Sequence, residues 1–265
     1  MKIKIENLKK CFGEKTAVDI DAFEIKDGEM LGLVGNNGAG KTTLFRLMLD
    51  LLKADDGKVE FAPLPEGGCP KDWGEEALPE GDHQGEEALP ESVDVINPAE
   101  SEEWKHLTGA YIDEGFLIDF LTPEEYFEFI GKVCGMTAEA IAEREKDFEQ
   151  LMAGEIMGQK KLIRDFSAGN KQKIGIVAAL FNRPQLVVLD EPFNFLDPSS
   201  QNVLKHLLTN YNRETGATIL ISSHNLQHTV DISTRIALLE NGRIINDLPN
   251  EAGSAEKTLE AYFNV

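Results

Sequence analysis

The stretch from Glu29 to Leu49, EMLGLVGNNGAGKTTLFRLML, decides the fold. It begins as a short apolar run ending at a glycine, the pattern of a strand buried on both faces. Further on, Leu44, Leu47, Met48 and then Leu51 recur at i, i+3, i+4 and i+7, one face of a helix. Gly57 follows where the chain should reverse. Between strand and helix, GNNGAGKT (Gly35 to Thr42) fits GxxxxGK[ST] in the context this motif requires. Glycines let successive backbone N–H groups turn inward around phosphates, and the helix start adds the positive end of its dipole. Lys41 is expected to reach the β- and γ-phosphates of a nucleotide, and the Thr42 hydroxyl a Mg²⁺ ion. The candidate nucleotide-binding run is therefore Gly35, Asn36, Asn37, Gly38, Ala39, Gly40, Lys41, Thr42 and Thr43.

A second stretch asks for the same ligand. In LVVLDEPFNFLDPSS, Leu186 to Ser200, four apolar residues run straight into Asp190 and Glu191 with no Lys or Arg beside them. Ionised carboxylates are costly to desolvate unless they are paired or bind a metal. Asp190 is expected to hold Mg²⁺ beside the nucleotide, directly or through water. Glu191 suits polarisation of water for attack on the γ-phosphate, help worth roughly 10²–10⁴-fold.

Composition narrows the class. A chain of 265 residues can bury a real core as one large domain, and 42% hydrophobic content is ordinary for a soluble protein. No apolar run approaches the roughly 18 residues of a membrane span. The N-terminus, MKIKIENLKK, alternates Ile with charge, which suits an exposed strand rather than a signal peptide. Together with DIDAFEIKDGEM it suggests a small antiparallel layer. Cys11, Cys69 and Cys134 form neither a CxxC pair nor an even set, and read as reduced thiols. Net charge is −21, which argues against a general nucleic-acid binder. More than half of it is local, because residues 62–105 hold 13 acids and 2 bases.

That acidic segment contains an internal repeat, GEEALPEG at 74–81 and GEEALPES at 85–92. Between Ala62 and Ser92 its only large apolar residues are Leu64, Trp73, Leu78 and Leu89. Burying those four would return about 6–12 kcal/mol. Ordering the backbone would cost roughly 30 kcal/mol. A disordered insert or loose surface loop is the expectation.

Taken together, the motifs resemble those of ABC-transporter ATP-binding subunits across nearly everything except 62–92. DFSAGNKQK at 165–173 is similar to that family's signature, usually LSGGQ followed by Gln and a base: Ser167 and Gly169 match, whereas Phe166, Ala168 and Asn170 depart. NFLDP resembles the D-loop, which implies Asp197 near a dimer interface. ILISSH resembles the strand ending in the switch histidine, here His224, which contacts the γ-phosphate in the family. Phe12 in KKCFGEKTAV lies where the family stacks an aromatic ring on adenine. The family's Q-loop Gln is absent; in GAYIDEGFLIDFLTPEEYF, Asp113 or Glu114 stands near its place, and Glu114 is the candidate to accept from Mg²⁺-bound water. Thr122-Pro123-Glu124-Glu125 then reads as a capping box with Pro at the first helical position, opening a helical subdomain.

The resemblance implies an α/β fold: a P-loop NTPase core with a mostly parallel sheet, a small antiparallel layer and a helical subdomain. Residues 1–61 and 166–265 would form the core, 93–119 its return with the Q-loop-like region, and 120–165 the helices. It further implies an ATP hydrolase using ATP and Mg²⁺, paired as a homodimer or heterodimer of ATPase subunits. Each site would combine one chain's phosphate loop with the other chain's signature. A separate transmembrane permease would carry a solute, more in the manner of exporters, with this subunit cytoplasmic on the inner face of the membrane. A soluble relative without a transport role, such as an iron–sulfur assembly ATPase, is the competing class. Replacing Pro63–Ser92 by a short Gly-Ser turn should leave the thermal midpoint and basal ATPase rate nearly unchanged, since loop length itself costs only ~0.6 kcal/mol per doubling. Both are read beside wild type in one buffer, and a collapse of either would mean that the acids pack on the core.

Overall fold

The computed structural model describes residues 1–63, 95–250 and 253–263; the acidic repeat lies outside the described residues. Elements are numbered in chain order. Strands β1 (Lys2–Phe12) and β2 (Lys15–Ile25) form a tight hairpin, and β4 (Asp56–Ala62) pairs with the other edge of β1. The result is a three-stranded antiparallel sheet of order β2-β1-β4. Alternation buries Ile3 and Ile5 while Lys2 and Lys4 face water, as the period of a half-buried strand requires.

The main sheet has the order β5-β6-β7-β3-β8-β9. Its strands are β3 (Met30–Val34), β5 (Thr108–Tyr111), β6 (Leu186–Leu189), β7 (Thr218–Ser223), β8 (Arg235–Glu240) and β9 (Arg243–Pro249). Every pairing is parallel except that of β8 with β9. Both faces are covered, which is why β6 is apolar throughout. Leu186 and Val188 pack with α1 (Lys41–Met48) and the antiparallel sheet. Val187 and Leu189 pack with α5 (Ala168–Leu180) and α6 (Pro198–Thr215). Beyond β8, α7 (Leu226–Ile232) and α8 (Glu256–Phe263) add a small third cluster around Val230, Ile236 and Leu259.

Two details of the sequence reading are corrected. Helix α1 stops at Met48: Asp50 turns left-handed at φ 50°, Leu51 N–H reaches back to the Arg46 carbonyl at 2.9 Å, and the Leu51 side chain is exposed. Gly57 is not a post-helix reversal but part of β4. Its φ of 81° sits at the bulge in the β1–β4 ladder, where a Cβ would overlap the Asn7 carbonyl.

The segment after β5 is helical. Helix α2 (Pro123–Val133) opens with a complete capping box between Thr122 and Glu125, and Thr137 caps α3 (Ala138–Lys146). The short α4 (Glu149–Met152) ends the helices before residue 165; only a 3₁₀ turn at Ile163–Asp165 precedes α5. This layer shares a core with α5. Phe127 stacks on Phe181 at 5.4 Å, and the buried Arg144 donates to the carbonyls of Leu180 and Phe181 at the end of α5.

Register places the site. Val34 pairs with Ser223, Leu189 with Ile221 and Tyr111 with Leu189, so the residues following β3, β5, β6 and β7 emerge side by side at one edge. In open parallel sheets this carboxyl edge is where ligands bind. The geometry depends on β5 lying flush on α5, where a Cβ on Gly109 would overlap the Ala179 carbonyl oxygen. Gly109→Ala should therefore lose about 1–3 kcal/mol, seen as a drop of several degrees in thermal unfolding.

Candidate active site

The loop after β3 takes its shape from two left-handed glycines, Gly38 at φ 83° and Gly40 at φ 112°. Gly40 also lies against the Ala17 carbonyl of β2, where a Cβ would collide. Asn36 closes the turn by accepting from Ala39 N–H at 3.0 Å. Helix α1 then starts at Lys41 with no side-chain cap and no acid in its first turn, so its leading N–H groups remain available to an anion. Lys41 is buried, its Nζ donating to the Gly35 carbonyl at 2.7 Å and standing 3.5 Å from Glu191 Oε1. Together with Phe12, Lys15, Ala17 and Glu191, the run from Asn37 to Thr43 lines a cleft of about 290 Å³. Phe12 is half exposed at its rim, with Lys10 Nζ 5.7 Å from the ring centroid.

The two acids emerge from β6 into different company. Asp190 is buried and accepts hydrogen bonds from the hydroxyls of Thr42 and Ser222. Burial pushes its carboxyl above the ordinary carboxylate range, and the two hydroxyls oppose that shift. Glu191 turns left-handed at φ 48° and donates its N–H to Ser222 Oγ at 2.9 Å, which swings its side chain across the cleft mouth. There one oxygen faces Lys41, and the other lies 2.8 Å from His224 Nδ1 and 3.2 Å from the His224 N–H. Beside a carboxylate, Nδ1 carries the proton. Glu191 is thus held at both oxygens, the arrangement of an oriented base.

The remaining expected residues are placed as follows. Ser167 caps α5 by accepting from Asn170 N–H at 3.3 Å. A Cβ on Gly169 would stand 2.6 Å from the Phe195 carbonyl oxygen, so this glycine lets the helix start touch the loop ahead of α6. Asp197 is the N-cap of α6, accepting from the N–H groups of Ser199 and Ser200 and the Ser200 hydroxyl, which hold its carboxyl below the ordinary range. Neither Ser167, Gly169 nor Asp197 lines the cleft. Glu114 does not join Thr42 and Asp190. Its carboxylate pairs with Lys171 at 3.1 Å, while neighbouring Asp113 pairs with Arg46 at 2.6 Å and caps a 3₁₀ turn. Both carboxylates are drawn off by nearer bases.

Three residues of the site escaped the sequence reading. Ser222 was legible in principle, as a buried hydroxyl following the apolar run Ile219–Ile221, two residues before His224. Lys15 shares the hairpin of Phe12, yet a surface lysine carries no signal of its own. Gln172, whose Nε2 donates to the Glu191 carbonyl at 3.2 Å, lies within the signature-like stretch but was not singled out.

The donors suit a nucleoside triphosphate. An uncapped helix start, a buried Lys and Gly-shaped backbone face one small cleft with a single aromatic at its rim. Thr42 and Asp190 place two hard oxygens side by side, the ligand type Mg²⁺ takes when phosphates complete its shell. The family model described as ABC transporter matches residues 18–194. The chain belongs to the ABC transporter family. It is 30% identical over 248 residues to an uncharacterised ABC transporter ATP-binding protein of Methanocaldococcus jannaschii, covering 92% of this chain and 76% of that one. It is 29% identical over 262 residues to a lantibiotic transport ATP-binding protein of Streptococcus pyogenes, covering 99% and 96%. A bacitracin transport ATP-binding protein of Enterococcus faecalis is 29% identical over 250 residues, covering 93% and 68%. Among solved structures, a bacterial ABC transporter cassette in dimeric form superposes with a TM-score of 0.72 at 20% identity, covering 94% of this chain and 99% of that one; this likeness speaks to the fold. The ABC cassette described here is accordingly an ATP-binding, ATP-hydrolysing protein of the transport-powering kind.

The raised Asp190 carboxyl gives a test of the site without ligand. Because its folded pKa lies above the unfolded value, ionising it opposes folding at neutral pH, and the penalty is absent below the ordinary value of 3.8. Asp190→Asn should therefore raise the thermal midpoint of the nucleotide-free protein at pH 7.5. The gain should shrink on acidification through the folded titration and vanish below pH 3.8. An unchanged gain across that range would place the penalty elsewhere.

Proposed function

We propose that this ABC cassette works as one half of an ATP sandwich and drives a separate membrane permease that exports a solute. One observation carries the reading. Lys41, Thr42 and Glu191 line one cleft and carry Asp190 and His224 bonded to Thr42 and Glu191, whereas Ser167 and Gly169 of the same chain neither line it nor bond to these five side chains. A second copy would bring those two residues to the phosphates from the open side. Relatives with bacitracin and lantibiotic transport in their names support a transport partnership; export, with this subunit on the inner face of the membrane, completes the proposal. No helix among the described residues is long and apolar enough to cross a membrane, so translocation falls to the partner.

In this reading Phe12 stacks on adenine, the loop from Gly35 to Thr43 cradles the phosphates, and Lys41 carries the charge of the β- and γ-groups. Thr42 and Asp190 hold Mg²⁺, which when bound neutralises phosphate charge. Glu191 accepts the proton of the attacking water, and His224 keeps its carboxylate turned to the cleft while facing the γ-phosphate. Asp197, by capping α6, fixes the loop that would face the second copy.

Lys41→Ala should weaken ATP binding by about tenfold or more, the scale of a lost charge-assisted bond. Glu191→Gln should bind ATP within about twofold of wild type, lose roughly 10²–10⁴-fold in kcat, and sediment as an ATP-bound dimer. Mixing Lys41→Ala with Ser167→Arg subunits should restore one composite site of the two. A wild-type rate in Glu191→Gln would remove Glu191 as the base. Hydrolysis per subunit independent of dilution, with no ATP-induced dimer in that variant, would remove the sandwich.

A further inference from the structure

Phe193 follows Glu191 by two residues and is almost fully buried, although it belongs to a loop. Its ring is clamped. His228 of α7 lies against it at 4.8 Å between centroids, tilted by 36°, and Lys205 of α6 stands 5.9 Å from the centroid. Lys205 is itself held by Asp231 at 2.5 Å, and Asp231 also accepts from Gln227 at 2.8 Å. The backbone on either side is pinned too: Gln201 Nε2 donates to the carbonyls of Phe193 and Leu196, both at 3.2 Å.

The chain from the end of β7 into α7 therefore grips the segment beyond β6 twice. His224, just ahead of the helix, holds the Glu191 carboxylate, and His228, four residues on, holds the Phe193 ring. We propose that His228 is a positioning residue for ATP hydrolysis: by clamping Phe193 it fixes the backbone that aims Glu191 between His224 and Lys41. Its buried Nδ1 has no hydrogen-bond partner among the described residues, so the ring face, rather than a polar contact at that nitrogen, carries the effect. Glu191 needs the support because its backbone sits at φ 48°, a conformation that costs free energy unless its surroundings enforce it.

The inference rests on Glu191 being the base, and the experiment separates the two. Steady-state kcat and KM, nucleotide affinity and thermal midpoint are measured for His228→Ala, His228→Asn and His228→Phe, with Glu191→Gln and the Glu191→Gln/His228→Ala double variant alongside. His228→Ala and His228→Asn should lose about tenfold in kcat, the scale expected when a reacting group is displaced by a fraction of an ångström, with KM and affinity within about twofold. His228→Phe, which keeps a ring against Phe193, should recover kcat to within about threefold of wild type. In the Glu191→Gln background His228→Ala should cost nothing further, since a residue acting through Glu191 has nothing left to position. Wild-type kcat in His228→Ala, equal losses in His228→Phe and His228→Ala, or an undiminished His228→Ala effect in the double variant would each overturn the proposal. If His228→Ala does not fold, the contrast between His228→Asn and His228→Phe decides it. Wild-type turnover by Glu191→Gln would instead overturn the base itself.

Discussion

The Ser222 hydroxyl accepts from the Glu191 backbone N–H at 2.9 Å and donates to the Asp190 carboxylate, so one oxygen of β7 fixes the two successive acids that follow β6. Their division of labour depends on it. Asp190 is drawn to the Thr42 hydroxyl, while the left-handed turn at Glu191 sends the next side chain to a different pair of partners, Lys41 and His224. Such a three-way contact exists only if β6, β7 and β3 run parallel in this order and register. The apolar fill on both sheet faces holds that register, because a slip of one residue would turn Val187 and Leu189 onto the wrong face.

Local charge and total charge pull in opposite directions. The chain carries −21 overall, and its ligand is itself an anion. Long-range attraction therefore cannot be what gathers ATP. In the proposed reading binding falls to Lys41 and Lys15, which line the cleft, and to the open N–H groups of α1, all of which would act at short range. Over such distances screening by salt is weak, whereas the acidic exterior is screened beyond about 8–10 Å.

What could be read from the sequence was whatever is contiguous. The strand, glycine loop and helix from Met30 to Met48 are one unbroken stretch whose spacing states its own geometry. The step from Leu189 to Asp190 was equally plain, because charge directly after an apolar run demands a partner. The capping box at Thr122 and Glu125 needs no distant residue, and it stands as written. Features that depend on residues far along the chain were harder. The place of Gly57 is set by contact with Asn7 across the β1–β4 ladder. Glu114 answers to Lys171, 57 positions away, so its proximity in sequence to a Q-loop place said little about where its carboxylate would point. Ser222 was one of two adjacent serines at the end of an apolar run, and only β6 laid beside β7 shows which of them meets the acids.

The contact between Gly169 and Phe195 is made backbone to backbone, with no side chain between the start of α5 and the loop ahead of α6. Side chains flex and absorb displacement; two abutting backbones do not. At one end of α5, Phe181 stacks on Phe127 of the helical layer, and at the other Gly169 bears on a loop that begins at Glu191. Through α5 the helical layer and the loop that begins at Glu191 thus bear on one another, by stacked rings at one end and by backbone at the other.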